Sequence, residues 1–249
     1  MTAAMFRLDE RCCAPTLFAI ATTAAVLAGC NSSVSGHPTA APAVAGSTPA
    51  STIAAAQAPG TLLPADLPTV MLSVEDLRNI MKSPSLVKTA TWRHLGIGLS
   101  ITFTPPQCSV VASNGLLAAF DGSGQTGVLD LNYISTAEPL VQVGQGAVTY
   151  PDAAAAQALI GAQRPVWQQC ANSDVTMKSA DDGTASQHNN ALQTTADTLT
   201  MPIAIGSNYQ CVRTLAARSN VVFDNFVCAP ALSGEDVTVL GGMVAKLPH

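Results

Sequence analysis

Cys211-Val-Arg213-Thr-Leu215-Ala-Ala-Arg218-Ser219-Asn220-Val-Val-Phe-Asp224-Asn-Phe226-Val-Cys228 reads as a β-hairpin, and this stretch decides the fold. Two apolar, partly β-branched runs flank Ser219-Asn220, so a two-residue turn there makes them antiparallel neighbours. Asn tolerates the left-handed backbone that such turns need. Cys211 and Cys228 are symmetric about the turn and therefore face each other across the strands, near disulfide distance. The same register sets Arg213 opposite Phe226 and diagonal to Asp224, and an Arg213–Asp224 ion pair follows.

Working outward, further strands are expected at about 195–205, 126–134 and 140–149, and at Leu99-Ser-Ile-Thr-Phe103, which alternates and then stops at Pro105-Pro106. Asp121-Gly-Ser-Gly124 and Asp181-Asp-Gly183 read as turns. Ser73-Val-Glu-Asp76 resembles a capping box opening a short helix, with Val74, Leu77, Ile80 and Met81 on one face. Pro151-Asp152 suits the first turn of a second helix carrying Ala156, Leu159 and Ile160, then Trp167 and Cys170 three residues apart. Pro165 is expected to kink or split it. Ser233-Gly-Glu-Asp236 caps a last helix with Val237, Leu240, Val244 and Leu247 on one stripe. This order of elements predicts an α+β fold: a single domain, mainly an antiparallel sheet, with helices packed on one side.

The N-terminus reads as an export signal. Arg7 and Arg11 precede an uncharged apolar run from Ala14 to Ala28, too short to span a bilayer comfortably. The run ends in Leu27-Ala28-Gly29-Cys30, a lipobox pattern, in which Cys30 receives a diacylglyceryl group before cleavage on its amino side. Residues 1–29 are therefore assigned to a lipoprotein signal peptide. Residues 30–67 are a lipid-anchored Ala/Pro/Ser/Thr tether in which Asp66 is the only charge and six prolines up to Pro68 oppose helix. Residues 68–249 are the folded domain.

Seven cysteines resolve once processing is counted. Cys12 and Cys13 leave with the signal, and Cys30 carries lipid. Cys108, Cys170, Cys211 and Cys228 remain, an even set that in an exported chain reads as a disulfide framework. Three connectivities exist in principle. The hairpin pairs Cys211 with Cys228, which leaves Cys108 for Cys170. No Cys-x-x-Cys or His-x₃-His spacing favours zinc, and neither a metal nor a cofactor is expected.

Trp167-Gln-Gln-Cys170-Ala-Asn172, together with the Arg213, Leu215, Arg218, Asn220, Val221 and Asp224 framework between Cys211 and Cys228, resembles the PknH-like extracellular sensor domain family of mycobacteria. That domain also occurs alone on lipoproteins. The resemblance covers about residues 68–248. It implies an α+β domain with two disulfides and a cleft that takes an extracellular ligand. The apolar 112–120 stretch departs from the family. No kinase is expected, because Gly96-Ile-Gly98 does not extend into a phosphate loop and no His-Arg-Asp segment follows.

Function is expected to be binding rather than catalysis. A net charge of −5, unchanged by signal removal, and the lack of any Lys/Arg cluster argue against nucleic acid. No Gly-x-Ser-x-Gly elbow is present, and the extracellular cysteines are expected to be oxidised. His188 among Ser186, Gln187, Asn189 and Asn190 reads as a solvated loop residue, and His94 as a surface group. The best polar and aromatic ligand-binding candidates are Trp167, Tyr209, Arg213, Arg218, Asn220 and Asp224. The expected partners are the membrane, through the lipid on Cys30, and a small molecule or envelope component. The alternatives are an accessory lipoprotein docking a protein partner and, less favoured, an extracytoplasmic hydrolase.

Overall fold

A computed structural model describes residues 60–96, 101–179 and 183–248. The signal peptide, Cys30 and the tether up to Pro59 lie outside the described residues, as does much of the turn expected at 181–183.

In chain order the helices are α1 (Leu67–Val70), α2 (Val74–Met81), α3 (Ser109–Ala112), α4 (Ala153–Cys170) and α5 (Glu235–Val244). The strands are β1 (Leu86–Trp92), β2 (Ile101–Thr104), β3 (Gly127–Ser135), β4 (Gln142–Thr149), β5 (Ser173–Ser179), β6 (Gly183–Asn189), β7 (Gln193–Thr194), β8 (Thr198–Ile205), β9 (Tyr209–Arg218) and β10 (Val221–Ala229). They form one antiparallel sheet in the order β1-β3-β4-β10-β9-β8-β6-β5-β2, with β7 folded onto β8.

The β9–β10 hairpin has the expected register: Cys211 faces Cys228 and Arg213 faces Phe226. Its left-handed residue is Ser219, at φ 52°, rather than Asn220. Asn220 is used differently. Its side chain accepts from Leu62 N and donates to the carbonyls of Leu62 and Tyr150, all at 2.8–2.9 Å. The domain therefore takes in Gly60–Leu67, assigned above to the tether, and Leu62 and Leu67 are buried in its core.

Helices cover both faces of the sheet, not one. Val222, Phe226 and Cys228 of β10 pack with α4 and α3, whereas Val221, Phe223 and Val227 pack with α1, α2 and α5. Every residue of β10 is buried as a result. The reason is visible in β10 itself: a run apolar at both parities marks a strand covered on two sides.

The capping box of α2 is as expected: Ser73 Oγ accepts from Asp76 N at 3.1 Å, and Asp76 Oδ2 accepts from Ser73 N at 3.0 Å. In α5 the capping position falls instead to Gly234, at φ 114°, while Ser233 donates its N–H and hydroxyl to the Glu235 carboxylate. Helix α4 runs continuously through Pro165, so of the kink or split expected there the split does not occur. The carbonyl left without its usual partner belongs to Gly161, which is solvent-exposed, so water can satisfy it. Strands β1, β5 and β6 were not anticipated. Disulfides join Cys108 to Cys170 and Cys211 to Cys228.

Candidate functional site

The sheet carries a buried charged cluster on the face that α4 covers. Asp130 of β3, Gly146 of β4 and Asp224 of β10 form one cross-strand row, and Asn132, Gly144, Phe226 and Arg213 form the next. The two glycines leave a hollow in the middle of the sheet. A Cβ on Gly146 would press within 2.7 Å of the Asp224 carbonyl oxygen and 3.1 Å of Asp130 Oδ2. A Cβ on Gly144 would overlap the carboxamide of Asn114.

Asn114 and Gly115 close this hollow from the loop after α3. Asn114 Nδ2 donates to both carboxylate oxygens of Asp130, at 2.9 and 2.8 Å, and Gly115 N–H donates to Asp224 Oδ2 at 2.9 Å. Asn132 Nδ2 adds a 2.6 Å bond to Asp130 Oδ1. On the other side Arg213 Nε donates to Asp224 Oδ1 at 2.7 Å, and the Trp167 ring lies 5.8 Å from the guanidinium carbon. Arg213 Nη1 and Nη2 and Trp167 Nε1 are buried without a hydrogen-bond partner among the described residues.

Two carboxyl groups thus share one arginine, all three fully buried. Burial, and then the charge of Asp224, push Asp130 up to about 8, against the opposing bonds from Asn114 and Asn132 and the charge of Arg213. Burial also raises Asp224, but Arg213 and Gly115 pull it back. Asp224, bonded directly to Arg213 Nε, is therefore the carboxyl group whose anion the cation supports, whereas burial without a cation in contact favours the neutral form of Asp130.

A second feature is an open groove of about 690 Å³ between α2 and α5. Leu72, Ile80, Gly241, Gly242 and Ala245 give it an apolar floor, and Asp76, Asn79, Thr238 and Lys246 a polar rim. Lys246 Nζ is held by the Met71 carbonyl at 2.7 Å.

The six candidates chosen from sequence fall in three places, none of them in the groove. Trp167, Arg213 and Asp224 come together in the buried cluster. Arg218 pairs with Asp197 at 2.6 Å, near the end where Asn220 holds Leu62. Tyr209 buries a phenol with no hydrogen-bond partner among the described residues, and burial pushes its pKa well above the usual tyrosine range. Asp130, Asn114 and Asn132 were missed. A lone acid inside an apolar strand was the only available signal, and 130 and 224 are too far apart in sequence to suggest a pair.

His188 lies on β6 rather than in a loop, and its Nδ1 is 2.8 Å from Asp174 Oδ1. Both side chains are well exposed. The next row holds hydroxyls, Thr176 and Ser186, which contact each other at 3.3 Å. Among the described residues no group of three or more His, Cys, Asp or Glu side chains is placed to hold a metal.

An antiparallel sheet covered by helices on both faces, stapled by two disulfides and carrying an open groove, defines a disulfide-bonded α+β domain. The model of the PknH-like extracellular domain matches residues 62–246, and the chain belongs to that family. The crystal structure of the extracellular domain of PknH from Mycobacterium tuberculosis shares the fold, with a TM-score of 0.69 at 19% identity, over 75% of this chain and 96% of that one. No curated protein matches the chain significantly. Membership places the domain outside the cytoplasm. No helix among the described residues is long and apolar enough to cross a membrane.

Proposed function

We propose that this chain is a non-enzymatic sensor module, anchored at the outer face of the cytoplasmic membrane by lipid on Cys30, that takes a ligand in the groove between α2 and α5. The groove carries the reading. Its volume of about 690 Å³ lies within the roughly 300–1,000 Å³ typical of small-molecule sites, and an apolar floor with a few polar groups at the rim is the usual composition. Anchoring rests on the Leu27-Ala28-Gly29-Cys30 pattern and on the Ala/Pro-rich sequence between Cys30 and Gly60.

Docking of a protein partner would call for a contiguous exposed apolar patch. The most exposed large apolar side chains among the described residues, Leu63, Leu117 and Val237, sit on three separate segments. Catalysis by Asp174 and His188 would call for a nucleophile at the imidazole, and the nearby hydroxyls bond each other instead.

Gly241→Leu tests the groove. A Cβ there meets nothing within 4 Å, so the variant fills the groove without disturbing the core, and helix propensity favours it by about 1 kcal/mol. Native mass spectrometry of protein isolated from its own envelope is expected to show a bound small molecule in the wild type and none in the variant at unchanged melting temperature. Equal occupancy in both, or none in the wild type, would overturn the groove. An N-terminal peptide lacking lipid at Cys30 would overturn the anchor.

A further inference from the structure

Asn114-Gly115 is the dipeptide best suited to intramolecular ring closure, because glycine offers no Cβ to hinder its own nitrogen. Gly115 takes φ 69°, a conformation open to glycine at no steric cost. What surrounds this pair in the fold is unusual: each group that must gain or lose a proton during closure already has a carboxyl group at hydrogen-bond distance.

We propose that Asn114-Gly115 is a site of self-catalysed succinimide formation, in which Asp224 takes the proton of the attacking Gly115 nitrogen and Asp130 protonates the departing side-chain nitrogen of Asn114. Gly115 N lies 2.9 Å from Asp224 Oδ2. Asn114 Nδ2 lies 2.9 and 2.8 Å from the two oxygens of Asp130. Ser113 Oγ is 3.4 Å from Asn114 Oδ1, where negative charge develops. The carboxamide is pinned against Gly144, whose missing Cβ makes room for it.

The step balances. A bond forms between Gly115 N and Asn114 Cγ, and the Cγ–Nδ2 bond breaks. The Gly115 N–H proton passes to Asp224. As Cγ becomes tetrahedral, Nδ2 loses its amide conjugation, becomes basic, accepts the Asp130 proton and leaves as ammonia. The proton held by the pair has moved from Asp130 to Asp224, and no other reactant is consumed. Base and acid are both within the 2.6–3.2 Å that general catalysis needs. Arg213 Nε, at 2.7 Å, supports the Asp224 anion for the first transfer, and burial favours the proton-bearing form of Asp130 for the second. Closure removes the side-chain nitrogen that bonds Asp130, and with it the latch that holds the 113–115 loop over the buried pair.

The test follows the mass of the Asn114 peptide in purified protein, folded and, in parallel, reduced and unfolded in urea. Ordinary Asn-Gly lability is greatest in an unfolded chain, whereas catalysis by the fold requires the opposite order. A peptide lighter by one ammonia is expected to accumulate faster in the folded protein. Asp130→Asn, nearly isosteric, is expected to slow this by about 10²-fold, the lower end of general-acid catalysis. Asn114 staying intact in the folded protein while it reacts in the unfolded chain would overturn the proposal. So would an unchanged folded-state rate in Asp130→Asn.

Discussion

Asp130 and Asp224 stand in one cross-sheet row with only Gly146 between them. The missing side chain at Gly146 lets two carboxyl groups approach across the width of a strand, beneath Asn114 and beside one arginine. Desolvating two acids and one cation is costly, and neutralising one acid is the cheapest relief.

That relief makes stability depend on pH. Asp130 is raised from 3.8 to about 8, so its contribution is fully present below about pH 4 and is lost as pH climbs through about 8. Asp130→Asn removes the ionisation while keeping an acceptor for Asn114 and Asn132. The variant is expected to flatten the fall in stability between about pH 5 and pH 8, and to be the more stable protein at the upper end. Urea melts across that range check it; parallel curves for the two proteins would contradict it.

Gly144→Ala is expected to cost roughly 1–3 kcal/mol, because its methyl group would occupy the place of the Asn114 carboxamide. Combining it with Asn114→Gly should recover part of that loss. A double-mutant cycle measures the coupling, and strict additivity would show that the two positions do not compete for space.

The disulfides should differ in weight. Cys211–Cys228 spans 17 residues and Cys108–Cys170 spans 62, so chain entropy assigns them about 3 and 4 kcal/mol. The first pair joins strands already hydrogen-bonded along β9–β10, whereas the second ties the Pro106–Cys108 turn to the end of α4. Replacing Cys108 and Cys170 by Ala is expected to lower the melting temperature more than replacing Cys211 and Cys228.

Asn220→Ala would strand three main-chain groups, Leu62 N, Leu62 O and Tyr150 O. A cost of about 2 kcal/mol is expected, with faster amide exchange confined to residues 60–63 and the edge they cover. Global loss of protection with no local excess would argue that Asn220 acts on the whole hairpin instead.

How far the chain could be read in advance follows the range of the contacts involved. The β9–β10 hairpin, its cross-strand cysteines, the Arg213–Asp224 pair and the α2 capping box were all legible, because each follows from a turn or cap motif that fixes the register of its own neighbours. Strands β5 and β6 were not, since Ser, Thr and Gln dominate them and half their residues face water. Nor was the continuity of α4, where exposure of Gly161 lets water take the hydrogen bond that proline cannot give.

Local chemistry thus sufficed for the hairpin, the sulfur pairing and the start of α2, since turn residues, alternation and caps act over a few bonds. Long-range packing had to settle the rest. It set helices on both faces of the sheet, brought Asn114 and Asp130 to Asp224, and formed the groove between α2 and α5. Those contacts join segments separated by some 16 to 170 positions, and a buried charge declares its partner only once strands that are distant in the chain lie side by side.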